Sequence, residues 1–115
     1  MRPLYFLLYA TVSKFTSAQR ETLVHEIRDA VVKDFGNGRV LVEQRPYSTE
    51  GCHGIALEMR SQDSLTFDRI CVSEQRAYIL IATAYNEPAK DPHFADRFLN
   101  SFRIESPTAT PRPSP

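Results

Sequence analysis

A chain of 115 residues, 42% apolar and 24% charged, is sized for one globular domain with its own core, and its composition is neither disordered nor fibrous. The 14 Lys and Arg balance the 14 Asp and Glu, so the basic excess by which nucleic-acid binders displace phosphate counterions is missing, and nucleic acid is not an expected partner. Two cysteines, Cys52 and Cys71, are too few for a disulfide scaffold and match no zinc spacing.

The first element is the run from Leu4 to Val12. With Arg2 ahead of it, it has the outline of a secretory leader. The run is short, however, and no small-x-small cleavage site follows. A membrane-spanning helix needs about 20 apolar residues, so no span is expected here. Aromatic enrichment points to a strand, and the lack of polar alternation predicts burial on both faces.

A long helix follows. Thr16 and Gln19 have the spacing of a capping box, and Leu23, Val24, Ile27, Ala30 and Val31 form one apolar stripe. Arg20, His25, Glu26, Arg28, Asp29 and Lys33 project toward water. Gly36 is expected in the left-handed conformation that ends helices, with Gly36-Asn37-Gly38 turning the chain.

Val40 to Val42 open a second strand, expected to stop near Pro46, which cannot donate to a ladder. After an irregular stretch at Gly51-Cys52-His53-Gly54, Ile55, Leu57 and Met59 alternate with Ala56, Glu58 and Arg60, the period of a half-buried strand. Ser61 to Ser64 turns the chain into a strand from Leu65 to Val72, and Ser73-Glu74-Gln75 turns it again. The strand from Ala77 to Tyr85 is almost continuously apolar, which predicts an interior position in the sheet. The last three of these strands read as an antiparallel meander. Asp91 as cap and Pro92 as first residue announce a short helix whose apolar face is Phe94, Phe98, Leu99 and Phe102. Residues 105–115 carry four prolines and no large apolar residue, and read as a disordered, extended tail behind a single domain over residues 1–104. The expected class is α+β, an antiparallel sheet with a long helix and a short C-terminal helix packed on it.

The order of elements and several motifs resemble the PsbP-like family, whose members include an extrinsic photosystem II subunit, a nuclear-transport factor that binds the GTPase Ran and many bacterial domains. Ala95-Asp96-Arg97-Phe98-Leu99-Asn100-Ser101-Phe102-Arg103 is similar to the "RFL-x-SF" helix that closes bacterial members. Arg76-Ala77-Tyr78-Ile79-Leu80 resembles the penultimate "R-x-Y-x-L" strand, and Gly51 and Gly54 resemble the glycine pair that opens the meander. The resemblance spans residues 4–104 and implies an α/β/α sandwich. It implies no particular activity, because members hold different partners and share no catalytic motif. Members carry a further strand or hairpin ahead of the equivalent of Leu4, so this sheet is expected to lack that piece and to expose an edge.

Candidate chemistry is sparse. Cys52 and His53 are neighbours on a strand and point to opposite faces, so they cannot act as nucleophile and base. The cysteines read as two buried thiols, or as one bridge if their strands pair. His25, His53 and His93 lie on separate elements with no metal-ligand spacing, and no metal or cofactor is expected. Gly36-Asn37-Gly38 follows a helix and precedes a strand, the reverse of a phosphate-binding loop. Asp68 and Arg69 diverge on one strand and read as solvated or cross-strand charges. Tyr47 and Tyr85, at strand ends, are the candidate anchors for a partner. The proline-rich end around Pro111-Arg112-Pro113 has polyproline character.

The expected function is therefore a non-catalytic binding or adaptor domain. It would engage a protein partner, or a second copy, through an open sheet edge or face, without nucleic acid or a membrane span. The alternative is a small-molecule or enzymatic domain with a pocket between the sheet and the long helix. The lack of a persuasive targeting segment favours the cytoplasm.

Overall fold

Alternating apolar residues and polar turns arrange the chain as one antiparallel sheet between two helices. The computed structural model describes residues 3–11, 14–36, 38–49, 51–86, 91 and 93–102. Along the chain come β1 (Leu4–Thr11), α1 (Ser17–Phe35), β2 (Val40–Thr49), β3 (Cys52–Arg60), β4 (Ser64–Val72), β5 (Arg76–Tyr85) and α2 (Asp96–Ser101). The sheet order is β1-β5-β4-β3-β2, with every neighbouring pair antiparallel. Strands β3 to β5 are the expected three-strand meander, and β2 extends it by pairing antiparallel with β3. The readings placed on Arg2, Val12, Asn37, Pro92, Arg103 and the tail 105–115 fall outside the described residues.

α1 begins as its sequence announces. The Thr16 hydroxyl accepts from the Gln19 backbone N–H, and the Gln19 side chain accepts from the Thr16 N–H at 2.8 Å. Its apolar stripe packs on β3 and β4, with Val24 and Val31 buried and Leu23 and Ile27 half-buried against Ile55, Leu57, Met59, Ile70 and Val72. Ala30 departs from expectation and faces solvent, because the stripe is narrow and one methyl adds little to it. Gly36 also departs. At φ −84° it stays right-handed and its N–H still reaches the Val32 carbonyl, so the left-handed residue of this turn is Gly38, at φ +74°.

On the opposite face, α2 and its flanks lay Phe94, Ala95, Phe98, Leu99 and Phe102 over Cys52, Cys71, Tyr78, Leu80 and Ala82. The helix starts later than expected. Ala95 is its N-cap, and the Asp91 carboxylate accepts from the His93 N–H at 2.9 Å in the turn before it. The Arg69 guanidinium donates to the Leu99 carbonyl at 3.0 Å, holding the last turn of α2 to the sheet.

Two further differences come from the edges. β2 runs through Pro46 to Thr49, because as an outermost strand it has a side on which the missing N–H is needed by nothing. β1, read as buried on both faces, is the other outermost strand and is exposed along its length. An apolar run marks a strand without saying how many neighbours it has. β5, paired with β1 and β4, holds the interior place its sequence predicts.

Gly51, at φ +76°, makes the turn between β2 and β3. Gly54 is required by proximity instead, since a Cβ there would sit 1.7 Å from the Ile70 carbonyl oxygen. Next to this close approach, Cys52 and Cys71 are bridged, with Cα atoms 5.6 Å apart, both fully buried beneath the α2 aromatics. The bridge closes a loop of 19 residues between β3 and β4. Replacing both cysteines by alanine should lower unfolding stability by about 2–4 kcal/mol, measured by urea titration without reductant. Thiol titration of the denatured, unreduced chain should find no free sulfhydryl.

Candidate binding surface

The surface that stands out is the outer margin of β1. Leu4, Tyr5, Phe6, Leu7, Leu8 and Tyr9 are each between 42% and 65% exposed, six consecutive large apolar side chains at the rim of the sheet. Their register explains this. Leu4, Phe6 and Leu8 lie opposite Thr83, Ile81 and Ile79 on the α1 face, while Tyr5, Leu7 and Tyr9 lie opposite Ala82, Leu80 and Tyr78 on the α2 face. Each is covered from the β5 side, and among the described residues no strand pairs with the other side. Two anchors hold the strand in place. The Tyr5 hydroxyl donates to the Phe94 carbonyl at 3.1 Å with its ring 5.0 Å from that of Phe98, and Arg76 lies 5.8 Å over the Tyr9 ring.

The opposite margin is built differently. β2 has a bulge between Leu41 and Glu43, charged Glu43 and Arg45 and then Pro46, all of them devices that blunt a strand edge against pairing. Its exposed apolar residues are Val40 and Val42, beside the bulge. β1 carries no charge, no proline and no bulge. An unprotected, apolar edge is a template for another strand.

The tyrosines proposed as anchors are not brought together. Tyr47 lies on the α2 face, half-buried, with the Arg69 guanidinium 4.9 Å over its ring. Tyr85 lies at the end of β5 on the α1 face, where its hydroxyl accepts from Arg39 at 3.0 Å. Each is held by an arginine of its own domain. The exposed tyrosines, Tyr5 and Tyr9, are on β1, where a buried reading of the strand had hidden them.

A second feature was missed in the sequence. On its α1 face β4 reads Ser64, Thr66, Asp68, Ile70, Val72, a polar half followed by an apolar half. At the outer end Arg39 donates to Ser64 at 2.8 Å, and Ser64 shares a hydrogen bond with Ser61. Next inward, Thr66 and Thr83 hydrogen-bond to each other. The line ends at Asp68, opposite Leu57 and Ile81, 0% exposed and with neither carboxyl oxygen hydrogen-bonded among the described residues. Asp68 and Arg69 do diverge, but only Arg69 reaches the surface layer. The signal was the period-2 run of polar residues inside an otherwise apolar strand.

An open groove of about 610 Å³ lies between the first half of α1 and the ends of β2 and β3, bordered by Arg20, Glu21, His25, Arg45 and His53. His25 and His53 are exposed at its rim, and His93 pairs with Asp96 at 3.0 Å elsewhere. Among the described residues no three His, Cys, Asp or Glu side chains gather as a metal site, and no helix is long and apolar enough to cross a membrane. No family model, curated protein or solved structure matches the chain.

Burial pushes the Asp68 carboxyl up to about 7, against a weaker downward pull from Arg39. The unfolded chain releases this proton near 3.8, so between the two values the folded state binds one proton more. The stability tied to that proton is whole below the unfolded value and is lost as pH rises through the folded one. Raising the pH from about 5.5 to about 8 should therefore cost on the order of 2 kcal/mol in urea unfolding. Asp68→Asn, which has no proton to lose, should flatten that dependence.

Proposed function

We propose that this chain is a non-catalytic binding domain that takes a protein strand onto the free edge of β1, a PsbP-like adaptor module by resemblance. The observation that carries the reading is the contrast between edges. β2 is protected by a bulge, charges and Pro46, and β1 presents six apolar side chains with no such device. In strand addition the main chain supplies the hydrogen bonds and alternate side chains supply the selectivity. β1 offers both, with Phe6 and Leu8 available on one face and Leu7 and Tyr9 on the other. The resemblance of the closing helix and of the Arg76–Leu80 stretch to PsbP-like domains agrees with a scaffold that holds partners instead of transforming substrates. The buried bridge between Cys52 and Cys71 favours an oxidising compartment over the cytoplasm.

A second reading is favoured by the groove beside α1, whose volume lies within the range of small-molecule sites. Its polar lining is exposed, and two of its cations are engaged locally. Arg20 donates to the Phe15 carbonyl and to Ser17, and Arg45 pairs with Glu43.

The two readings separate in an affinity capture from native cell extract with three forms of the full chain: wild type, Leu7→Lys and Val42→Lys. A strand partner should saturate on wild type and on Val42→Lys, and should fall at least about tenfold on Leu7→Lys, since one charge on the seam costs more than about 1.4 kcal/mol. Equal capture by all three forms would overturn the edge reading and turn attention to the groove.

A further inference from the structure

We infer that the strand received by β1 is the β1 of a second copy of this chain, so that two five-stranded sheets join about a two-fold axis into one of ten strands. The inference rests on the edge-binding reading above and names its partner. A two-fold axis perpendicular to a sheet sets an edge strand antiparallel to itself, and residues that face each other then lie on the same side of the sheet. In such a seam the two residue numbers that meet must have an even sum.

The composition of β1 suits itself in that arrangement. With Leu7 on the axis, Phe6 faces Leu8 of the second copy on the α1 side. Tyr5 faces Tyr9 on the α2 side, and Leu4 faces Ala10. All seven positions from Leu4 to Ala10 are uncharged, so no like charges oppose each other anywhere along the seam. Arg76 stands opposite Thr11 at one end of β1, and the two-fold sends its counterpart to the far end. Leu4–Thr11 itself has no charged side chain to choose an unlike strand, whereas a like one needs none.

Area sets the expected strength. Six side chains about half exposed, at up to about 150–250 Å² for a whole aromatic, leave on the order of 600 Å² open per protomer. Pairing covers the outer flanks of these side chains together with the strand backbone, on the order of 1,000 Å² in total. That is the lower bound of specific interfaces, so the dimer should be weak and concentration-dependent.

Sedimentation of the full chain, at about 5 to 200 µM, tests this directly. The mass should rise from the 13.1 kDa of the monomer toward twice that value, and Val42→Lys should follow wild type while Leu7→Lys stays monomeric throughout. Hydrogen exchange on the wild-type chain needs no variant. Amides of β1 should slow at least about threefold between the two concentrations, and those of β2 should not change. A wild-type chain that stays monomeric with unchanged β1 exchange would overturn the inference. So would a Leu7→Lys chain that dimerises as wild type does. If that chain nevertheless lost an unlike partner in the capture experiment, the edge would still be a binding site and only its occupant would be wrong.

Discussion

α1 carries the chain from one margin of the sheet to the other, and the rest of the architecture follows from that crossing. β1 and β2, separated by one helix, become the two strands with a single neighbour each. Everything between them is covered twice, by strands on both sides and by a helix on at least one face. A five-stranded open sheet always has two edges, and each must be handled by the side chains it happens to carry. Here the two answers differ. β2 is written with a bulge, charges and a proline, while β1 is written as though it were interior.

The centre of the sheet shows the opposite economy. β4 lies under both helices' layers, and its two faces do unlike work. Toward α2 it offers Leu65, Phe67, Arg69 and Cys71, which hold the short helix by apolar packing, by the bond from Arg69 to Leu99 and by the bridge to Cys52. α2 is only six residues long and lacks a side-chain N-cap, so it owes its place to these contacts and not to its own helical propensity. Toward α1, β4 offers an apolar half that anchors the long helix and a polar half that ends in an acid with no hydrogen-bond partner among the described residues. Burial of such a group costs free energy unless it stays protonated, which is why its affinity for a proton rises.

What could be read from the sequence was whatever depends on neighbours along the chain. The capping box at Thr16 and Gln19, the three-strand meander of β3 to β5 and the opposed faces of Cys52 and His53 are all local patterns, and they are realised as read, whereas the left-handed residue after α1 is Gly38 and not Gly36. What escaped reading depends on which strands become neighbours. LYFLLYAT is equally consistent with a strand between two others and with a strand at a rim, because composition reports preference for the pleated state and not the number of pairing partners. Pro46 misled for the same reason, since its tolerance within β2 follows from the edge. The bridge between Cys52 and Cys71 required knowing that Gly54 stands opposite Cys71. Tyr47 and Tyr85 each meet an arginine, Arg69 and Arg39, that no local pattern shows.

The register also relates the two unusual features of the molecule. Leu57, Asp68, Ile81 and Phe6 form one row across β3, β4, β5 and β1 on the α1 face. Asp68 is thus two strands from the rim, about 10 Å at ordinary strand spacing, with the buried Ile81 between. A side chain on a sheet is supported by its cross-strand neighbour, so Phe6 leans on Ile81, and Ile81 on the ground that Asp68 occupies. A proton lost from Asp68 places charge on the α1 face of the sheet, and the free energy of that event is felt by the helix–sheet core. The rim is held by other means, through Tyr5 on Phe94 and Phe98 and through Arg76 on Tyr9, all on the opposite face. The proton of Asp68 therefore acts on the core beneath α1, while β1 is fastened to the molecule on the α2 face through Tyr5 and Tyr9.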